Sequence, residues 1–418
     1  MADPLSFKTL IVLSTLLTIG EAVFHYHPRR TDDRDTVIEH YFKLGLQYTE
    51  ILAFLNSLHG IQLSLRQLKR ILRAKRLRRR SDNATVDEIL AAIQQQLEGS
   101  GSCLGYRQMH QKLRLEHGLN TSRETVRIAL KHLDPEGVEH RSRRRLRRRQ
   151  YYAKGPNFIW HIDGYDKLKP YGICIHGAID GFSRRIMWLE AGPSNKDPKI
   201  TSKYFIDCVR QVRGVPKFIR ADRGTENVYI AAIQRFLRMN CDDVANGTEC
   251  FLYGKSVSNQ RIEAWWSFLR ESYSSWWMNF FKDMRDSGTF DDSNTLHVEC
   301  LRFCFMRLIQ SELNNVVKRW NLHRIRPSNN RESPPGKPDV LYYLPEQSNG
   351  INCIIDVDVN DLDIAEENYS AQQPAMGCNE SFAELASMVM EDHHYTMPLN
   401  EREAYTLYNN LLYHINSI

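Results

Sequence analysis

Three acidic side chains, by type and spacing, could do chemistry together. Asp163 lies in Phe158-Ile-Trp-His-Ile-Asp163-Gly-Tyr, Asp222 in Lys217-Phe-Ile-Arg-Ala-Asp222-Arg-Gly-Thr-Glu226-Asn, and Glu263 in Ser258-Asn-Gln-Arg-Ile-Glu263-Ala-Trp-Trp. Asp222 follows Asp163 by 59 positions and Glu263 follows Asp222 by 41. Three carboxylates converging on one point can neutralise two divalent cations. Such a pair, about 3.5–4 Å apart, is how proteins cut and join phosphodiester bonds. An oxygen-only ligand set suits Mg²⁺ or Mn²⁺, two per site, rather than zinc. Each acid also has a plainer reading: Asp163 as a turn former beside Gly164, the Asp222 segment as a surface loop, and Glu263 as part of a solvated helix face.

The surrounding pattern supplies elements that could position the three acids. Phe158 to Ile162 is an aromatic and β-branched run bounded by Gly-Pro and Gly164, which predicts a strand. Tyr171 to Ile179 and Ile186 to Leu189 predict two more, with Asp180-Gly181 and Ser183 marking the turn between them. Pro198 to Val212 reads as a helix, and Lys217 to Ala221 as a short buried strand. Three antiparallel strands, a helix and a parallel strand predict an α/β layer with a mixed sheet, in which reactive groups gather at strand ends. Ser258 is the expected N-cap of the helix bearing Glu263. Asn259 and Glu263 then share a helix face, to which Arg270 returns, and that face is expected to meet metal and DNA. Trp265-Trp266 and Trp276-Trp277 could stack on displaced bases, although core anchoring is the favoured reading. Glu226 is expected to orient the Asp222 loop rather than to ligate.

Pro156-Asn-Phe-Ile-Trp160-His-Ile-Asp163, Ala178-Ile-Asp-Gly-Phe-Ser-Arg184, Ala221-Asp222-Arg-Gly224-Thr-Glu226-Asn227 and Asn259-Gln-Arg-Ile-Glu263 together resemble the retroviral-type integrase core, the Asp-Asp-Glu transposase family. The resemblance covers roughly residues 155–330. It implies a ribonuclease-H-like mixed five-stranded sheet flanked by helices and a metal-dependent polynucleotidyl transferase. In that enzyme Asp163 and Asp222 would bridge two metals and Glu263 would hold one. Asn321-Leu-His-Arg-Ile-Arg-Pro327 resembles the closing segment of such cores. Retroviral integrases also carry an amino-terminal His-His-Cys-Cys zinc module. Upstream of Asp163 this chain has a single cysteine, Cys103, so no zinc is expected.

Charge is unevenly distributed. The net charge is +6, yet residues 351–418 hold twelve acids and one basic residue, Arg402, leaving the first 350 residues at +17. The runs 73–80 and 141–149 supply 13 of the 56 Lys and Arg. They suit phosphate binding or nuclear import, and Arg143, Arg144, Arg145, Arg147, Arg148 and Arg149 are candidate DNA contacts. The nine cysteines form no CxxC pair, which fits a reducing compartment. Leu10 to Ile19 imitates a signal peptide, but about ten apolar residues are too few to span a bilayer, and no membrane role is expected.

Helix-turn-helix units are expected ahead of the core. Thr36 to Phe42, Thr49 to Asn56 and Leu65 to Leu72 form one unit. In its last helix an apolar stripe opposes Arg66, Lys69 and Arg70, as a recognition helix requires. Thr85 to Leu97, Gly105 to Leu113 and Thr121 to Leu130 form a second, with Glu124 and Arg127 facing outward and Arg123 and Arg127 as candidate DNA contacts. The Gly-Tyr-Arg…Ser-Arg-Glu-Thr-Val-Arg pattern of the second resembles the helix-turn-helix preceding the core in insertion-sequence transposases.

The expected organisation is an apolar leader (1–30), a helix-turn-helix (31–80), a second one (82–138), a basic linker (139–154), the catalytic core (155–330), and a Pro-containing linker with an acidic tail (331–418). That tail is expected to shield the basic arms until DNA competes. The expectation is a nuclear, DNA-binding integrase or transposase that performs cleavage and strand transfer as a homo-oligomer on DNA ends. The alternatives are a domesticated regulator that keeps the fold without catalysis, and a metal-dependent nuclease without strand transfer.

Overall fold

In the computed structural model, residues 28, 32–78, 84–142, 153–239, 249–254, 259–327 and 334–417 are described. All of the leader 1–30 but residue 28 lies outside them, as does the run 143–149.

β-branched and aromatic runs make the strands β1 (Ile159–Tyr165), β2 (Cys174–Asp180) and β3 (Ile186–Gly192), each antiparallel to the next. β4 (Gly214–Val215) stands apart, whereas β5 (Phe218–Ala221) and β6 (Phe251–Tyr253) run parallel to β1. The five-stranded order is β3-β2-β1-β5-β6, the mixed sheet of a ribonuclease-H-like fold. The turn from β2 to β3 is held by the buried Asp180 carboxylate, which accepts from the Ser183 amide (2.8 Å), the Ser183 hydroxyl (2.6 Å) and the Asn157 amide (2.7 Å).

Alternation along β1 divides the core. Trp160 and Ile162 pack with Ala178, Phe205, Ile206, Val209 and Ile219 beneath the Pro198–Val212 helix. That helix keeps its expected bounds because Asp197 caps it and Pro198 occupies its first turn. On the other face, Tyr165, Ile175, Ile179 and Leu189 share one cluster with Ile262, Trp265, Trp266 and Leu269 of the Gln260–Leu269 helix and with Leu313, Val316 and Val317 of the long Thr295–Leu322 helix. Each such large side chain contributes about 1.5–3 kcal/mol on burial. Trp265, Trp266 and Trp277 are buried, as core anchors must be.

Ahead of the core, Arg34–Lys43, Tyr48–His59 and Leu65–Ala74 form one helical group, and Val86–Leu97, Tyr106–Leu115 and Arg123–Leu133 another. Ser64 and Gln67 close a capping box, as do Thr85 and Glu88. Leu322 and Leu344 join the core of the first group. The second group reaches the layer of the long helix through Arg319, which pairs with Glu116 at 2.5 Å and lies over the Tyr273 ring.

The acidic tail is folded against the rest of the chain, while most of the basic arms that it was expected to shield lie outside the described residues. β7 (Ile355–Asp356) pairs with β4, and helices Val359–Tyr369, Glu380–Asp392 and Glu401–Ile415 follow. Ala386, Val389, Leu407, Tyr408 and Leu411 join the long helix's cluster. Asp363 and Glu366 pair with Arg210, and Glu366 also with Lys203 at 2.9 Å. An amphipathic apolar stripe hidden among many acids is enough to bury those helices. Among the described residues, no helix is long and apolar enough to cross a membrane.

Candidate active site

Asp163 stands on β1 directly opposite Gly177 of β2. Without a side chain at 177, the Trp266 ring can lie close against the sheet there, for a Cβ at that position would come within 2.9 Å of Trp266 Cη2. The Trp266 indole Nε1–H donates to Asp163 Oδ2 at 2.9 Å, and its ring sits 5.2 Å from that of Tyr165. Asp222 follows the last residue of β5, and its Oδ1 accepts from the Gly224 amide at 3.2 Å. Thr201 Oγ1 donates to the Glu226 carbonyl at 2.7 Å, which pins the loop to the Pro198–Val212 helix. Glu263 lies in the first turn of the Gln260–Leu269 helix, where the helix dipole favours a carboxylate.

The electrostatics place these acids in one another's field. Burial pushes Asp163 up to about 7, and the charges of Glu263 and Asp222 push the same way while the Trp266 bond opposes them. Glu263 is raised by burial first and then by Asp222. Glu226 is raised by burial, with Asp222 and Asp166 adding to it. The donor set is all oxygen, and a cation would relieve this mutual repulsion, so these residues fit a hard divalent ion by type. Their spacing is open: among the described residues, no three His, Cys, Asp or Glu side chains stand close enough together to hold a metal ion.

Asn259 corrects an expectation. It occupies the N-cap of the Glu263 helix and makes no side-chain cap bond, while Ser258, the expected cap, lies outside the described residues. It is buried rather than facing DNA. Its Nδ2 donates to the Ile162 carbonyl at 2.8 Å, and its Oδ1 meets His161 Nδ1 at 2.7 Å. Because Asn259 Oδ1 can only accept, His161 Nδ1 carries the proton in that bond. His161 is wholly buried and its pKa is lowered to about 3, chiefly by burial, so the ring is neutral. Arg261 Nε donates to the Gly181 carbonyl at 3.0 Å and ties the same helix to the β2–β3 turn. Asn259→Ala is expected to leave the His161 and Ile162 partners buried and unsatisfied, at about 1–3 kcal/mol each. Urea unfolding measures the loss, and an unchanged midpoint would show that the lock contributes nothing.

The remaining candidates divide. Arg66, Lys69 and Arg70 are exposed on the Leu65–Ala74 helix while Leu68 and Leu72 turn inward, and Lys69 lies over the Tyr48 ring. Arg123 and Arg127 are exposed, but Arg127 is paired with Glu124, its Nε donating at 2.9 Å. Arg270 is exposed where the Glu263 helix passes into the π-helical turn Arg270–Ser274. Arg143, Arg144, Arg145, Arg147, Arg148 and Arg149 lie outside the described residues. Sequence reasoning missed His161 and the Trp266 N–H as partners of the site. The one signal for the latter was a glycine inside a strand.

Residues 150–337 match the family model of the integrase core domain. No curated protein matches the chain.

Proposed function

On the premise that the chain carries an integrase core domain at residues 150–337, we propose that it is a DNA-binding recombinase of the Asp-Asp-Glu type that nicks and joins phosphodiester bonds. What supports the reading is the integrase-core match over residues 150–337, with Asp163 on β1, Asp222 just after β5 and Glu263 in the first turn of the Gln260–Leu269 helix. These three carboxylates would hold two Mg²⁺ or Mn²⁺ ions. Bound cations of this kind activate the attacking water or 3′-hydroxyl and stabilise the leaving oxygen. The chain's own residues do the positioning. Asn259 and His161 fix the start of the Glu263 helix against β1, and Trp266 and Tyr165 wall the Asp163 side. Arg270, Arg66, Lys69, Arg70 and Arg123 would bind phosphates, with the 141–149 run supporting both DNA affinity and nuclear import. Work on DNA ends would take place in a homo-oligomer.

The open spacing of the three acids favours a second reading, a regulator that retains the fold without loading metal. Melting temperatures separate the two. The wild type is expected to be stabilised by Mg²⁺ by RT ln(1 + [L]/Kd), about 2.7 kcal/mol at a hundredfold excess over Kd, and Glu263→Gln to lose that gain. A wild type whose melting ignores millimolar Mg²⁺ and Mn²⁺, even with DNA bound, selects the regulator.

DNA binding has its own test. Arg66→Ser with Arg70→Ser is expected to reduce the slope of log affinity against log salt by about two, one for each lost phosphate contact. A slope that does not move would mark that helix as merely solvated.

A further inference from the structure

We propose that Lys167, Lys196, Lys199 and Arg223 form a phosphate-binding rim around the acidic site and grip the backbone of duplex DNA there. The inference rests on the reading of the chain as a DNA-binding protein. It holds for the recombinase and the regulator alike and needs no bound cation. Tertiary contacts bring three separate segments to one place. β1 carries Asp163 and ends at Tyr165, and Lys167 follows it. Gly164 lies against Asn195, for a Cβ at 164 would come within 2.9 Å of Asn195 Nδ2. That amide donates to the Ile175 carbonyl at 2.9 Å and to Asp166 Oδ1 at 3.3 Å. Lys196 is thereby held beside the end of β1, and Lys199 follows in the first turn of the Pro198–Val212 helix. The same turn reaches the loop that bears Asp222 and Arg223 through the Thr201 Oγ1 bond to the Glu226 carbonyl at 2.7 Å. Glu226, raised first by burial, also feels Asp166 and Lys169, so the Asp222 loop and the segment after β1 face each other.

The positive charge on these segments is unspent. Lys167, Lys196, Lys199 and Arg223 are exposed, and among the described residues none of them makes an ion pair. Exposed cations elsewhere do pair: Arg127 with Glu124, Arg210 with Asp363, and Arg402 with Glu98. The other acids on the same segments are engaged. Asp166 accepts from Lys169 Nζ at 2.6 Å as well as from Asn195, and Asp197 caps its helix by accepting from the Lys199 amide at 2.9 Å. Asp163, Asp222 and Glu263 alone would repel a phosphodiester, so its approach calls for cations at the edge of the site. Each phosphate neutralised by such a cation releases condensed counterions, which adds affinity without reading sequence.

Lys167→Ser, Lys196→Ser, Lys199→Ser and Arg223→Ser, made together in the full chain, are expected to lower the slope of log affinity against log salt by about three to four for duplex DNA of arbitrary sequence, close to one for each lost phosphate contact. The circular dichroism spectrum should not change, since each side chain is exposed. Lysine acetylation of the wild type, read by mass spectrometry, checks the rim without any substitution. Lys167, Lys196 and Lys199 are expected to be protected by DNA at low salt and to regain reactivity as salt rises. An unchanged slope in the fourfold variant overturns the rim and, where the wild type still binds DNA in a salt-dependent way, leaves the DNA-binding reading intact. A wild type with no salt-dependent affinity for DNA overturns that reading, and the inference with it. If the fourfold variant does not fold, the acetylation pattern decides: lysines that stay as reactive with DNA as without it overturn the proposal. Protection that appears at high protein concentration without DNA assigns the patch to a second copy of the chain, and overturns it too.

Discussion

Asp222→Asn protein is expected to lose cation-dependent nicking and strand transfer while keeping its fold. The substitution preserves side-chain size and removes one of the negative charges that a divalent ion must meet. The Gly224 amide retains an oxygen to donate to, since Asp222 Oδ1 is its present partner, so the loop has no reason to open. Groups that act as one catalytic unit are strongly non-additive, and single removals in such units cost about 10⁴–10⁶ in rate. A pH signature accompanies the loss. The Asp163 carboxyl titrates near 7 in the folded chain, above its ordinary value, through burial and then the charges of Glu263 and Asp222. In metal-free buffer its contribution to stability is therefore full below the ordinary carboxylate range and disappears as pH rises through about 7. Asp222→Asn removes one raising charge and should soften that decline. Nicking by purified Asp222→Asn at the wild-type rate would remove Asp222 from the mechanism.

Asp339→Ala is expected to be the most damaging change far from the acids. Arg185 Nε bonds Asp339 Oδ1 at 3.0 Å, with the two side chains 1% and 0% exposed. The Arg185 guanidinium also lies over the rings of Tyr342 and Tyr343, 5.0 and 5.3 Å from their centroids. Removing one partner strands a buried charge, at a cost of about 3–5 kcal/mol. Replacing both, as in Arg185→Met with Asp339→Leu, should recover most of that loss, because no charge is left unpaired. Urea midpoints for the two variants decide the point; equal damage from single and double changes would mean that the ion pair is not the cause. Asp339 lies just beyond the residues matched by the integrase core family. A chain cut after residue 337 would lose Asp339, Leu341 and Tyr342 together with the tail helices that fill the core, and is expected not to fold.

Much of this protein was legible in the sequence because it is local. Ser64, Thr85 and Ser122 cap helices through bonds to residues three positions on, and the Pro198–Val212 helix is bounded by residues adjacent to it. The strands β1, β2, β3 and β5 were visible as β-branched runs, though Tyr171 and Lys217 proved to lie outside them. The chain order of Asp163, Asp222 and Glu263, and the order of elements between them, also come from sequence. The tertiary structure alone decided the rest. The Trp266–Asp163 bond joins residues 103 positions apart and the His161–Asn259 bond residues 98 apart. Such contacts depend on the register of β1 against β2 and on where a helix starts, neither of which a residue's immediate neighbours encode. The same holds for Asn259, whose polarity suggested a surface and whose burial satisfies two strand groups. It holds also for the acidic tail, where charge masked an apolar stripe that becomes visible only once the Thr295–Leu322 helix lies against it.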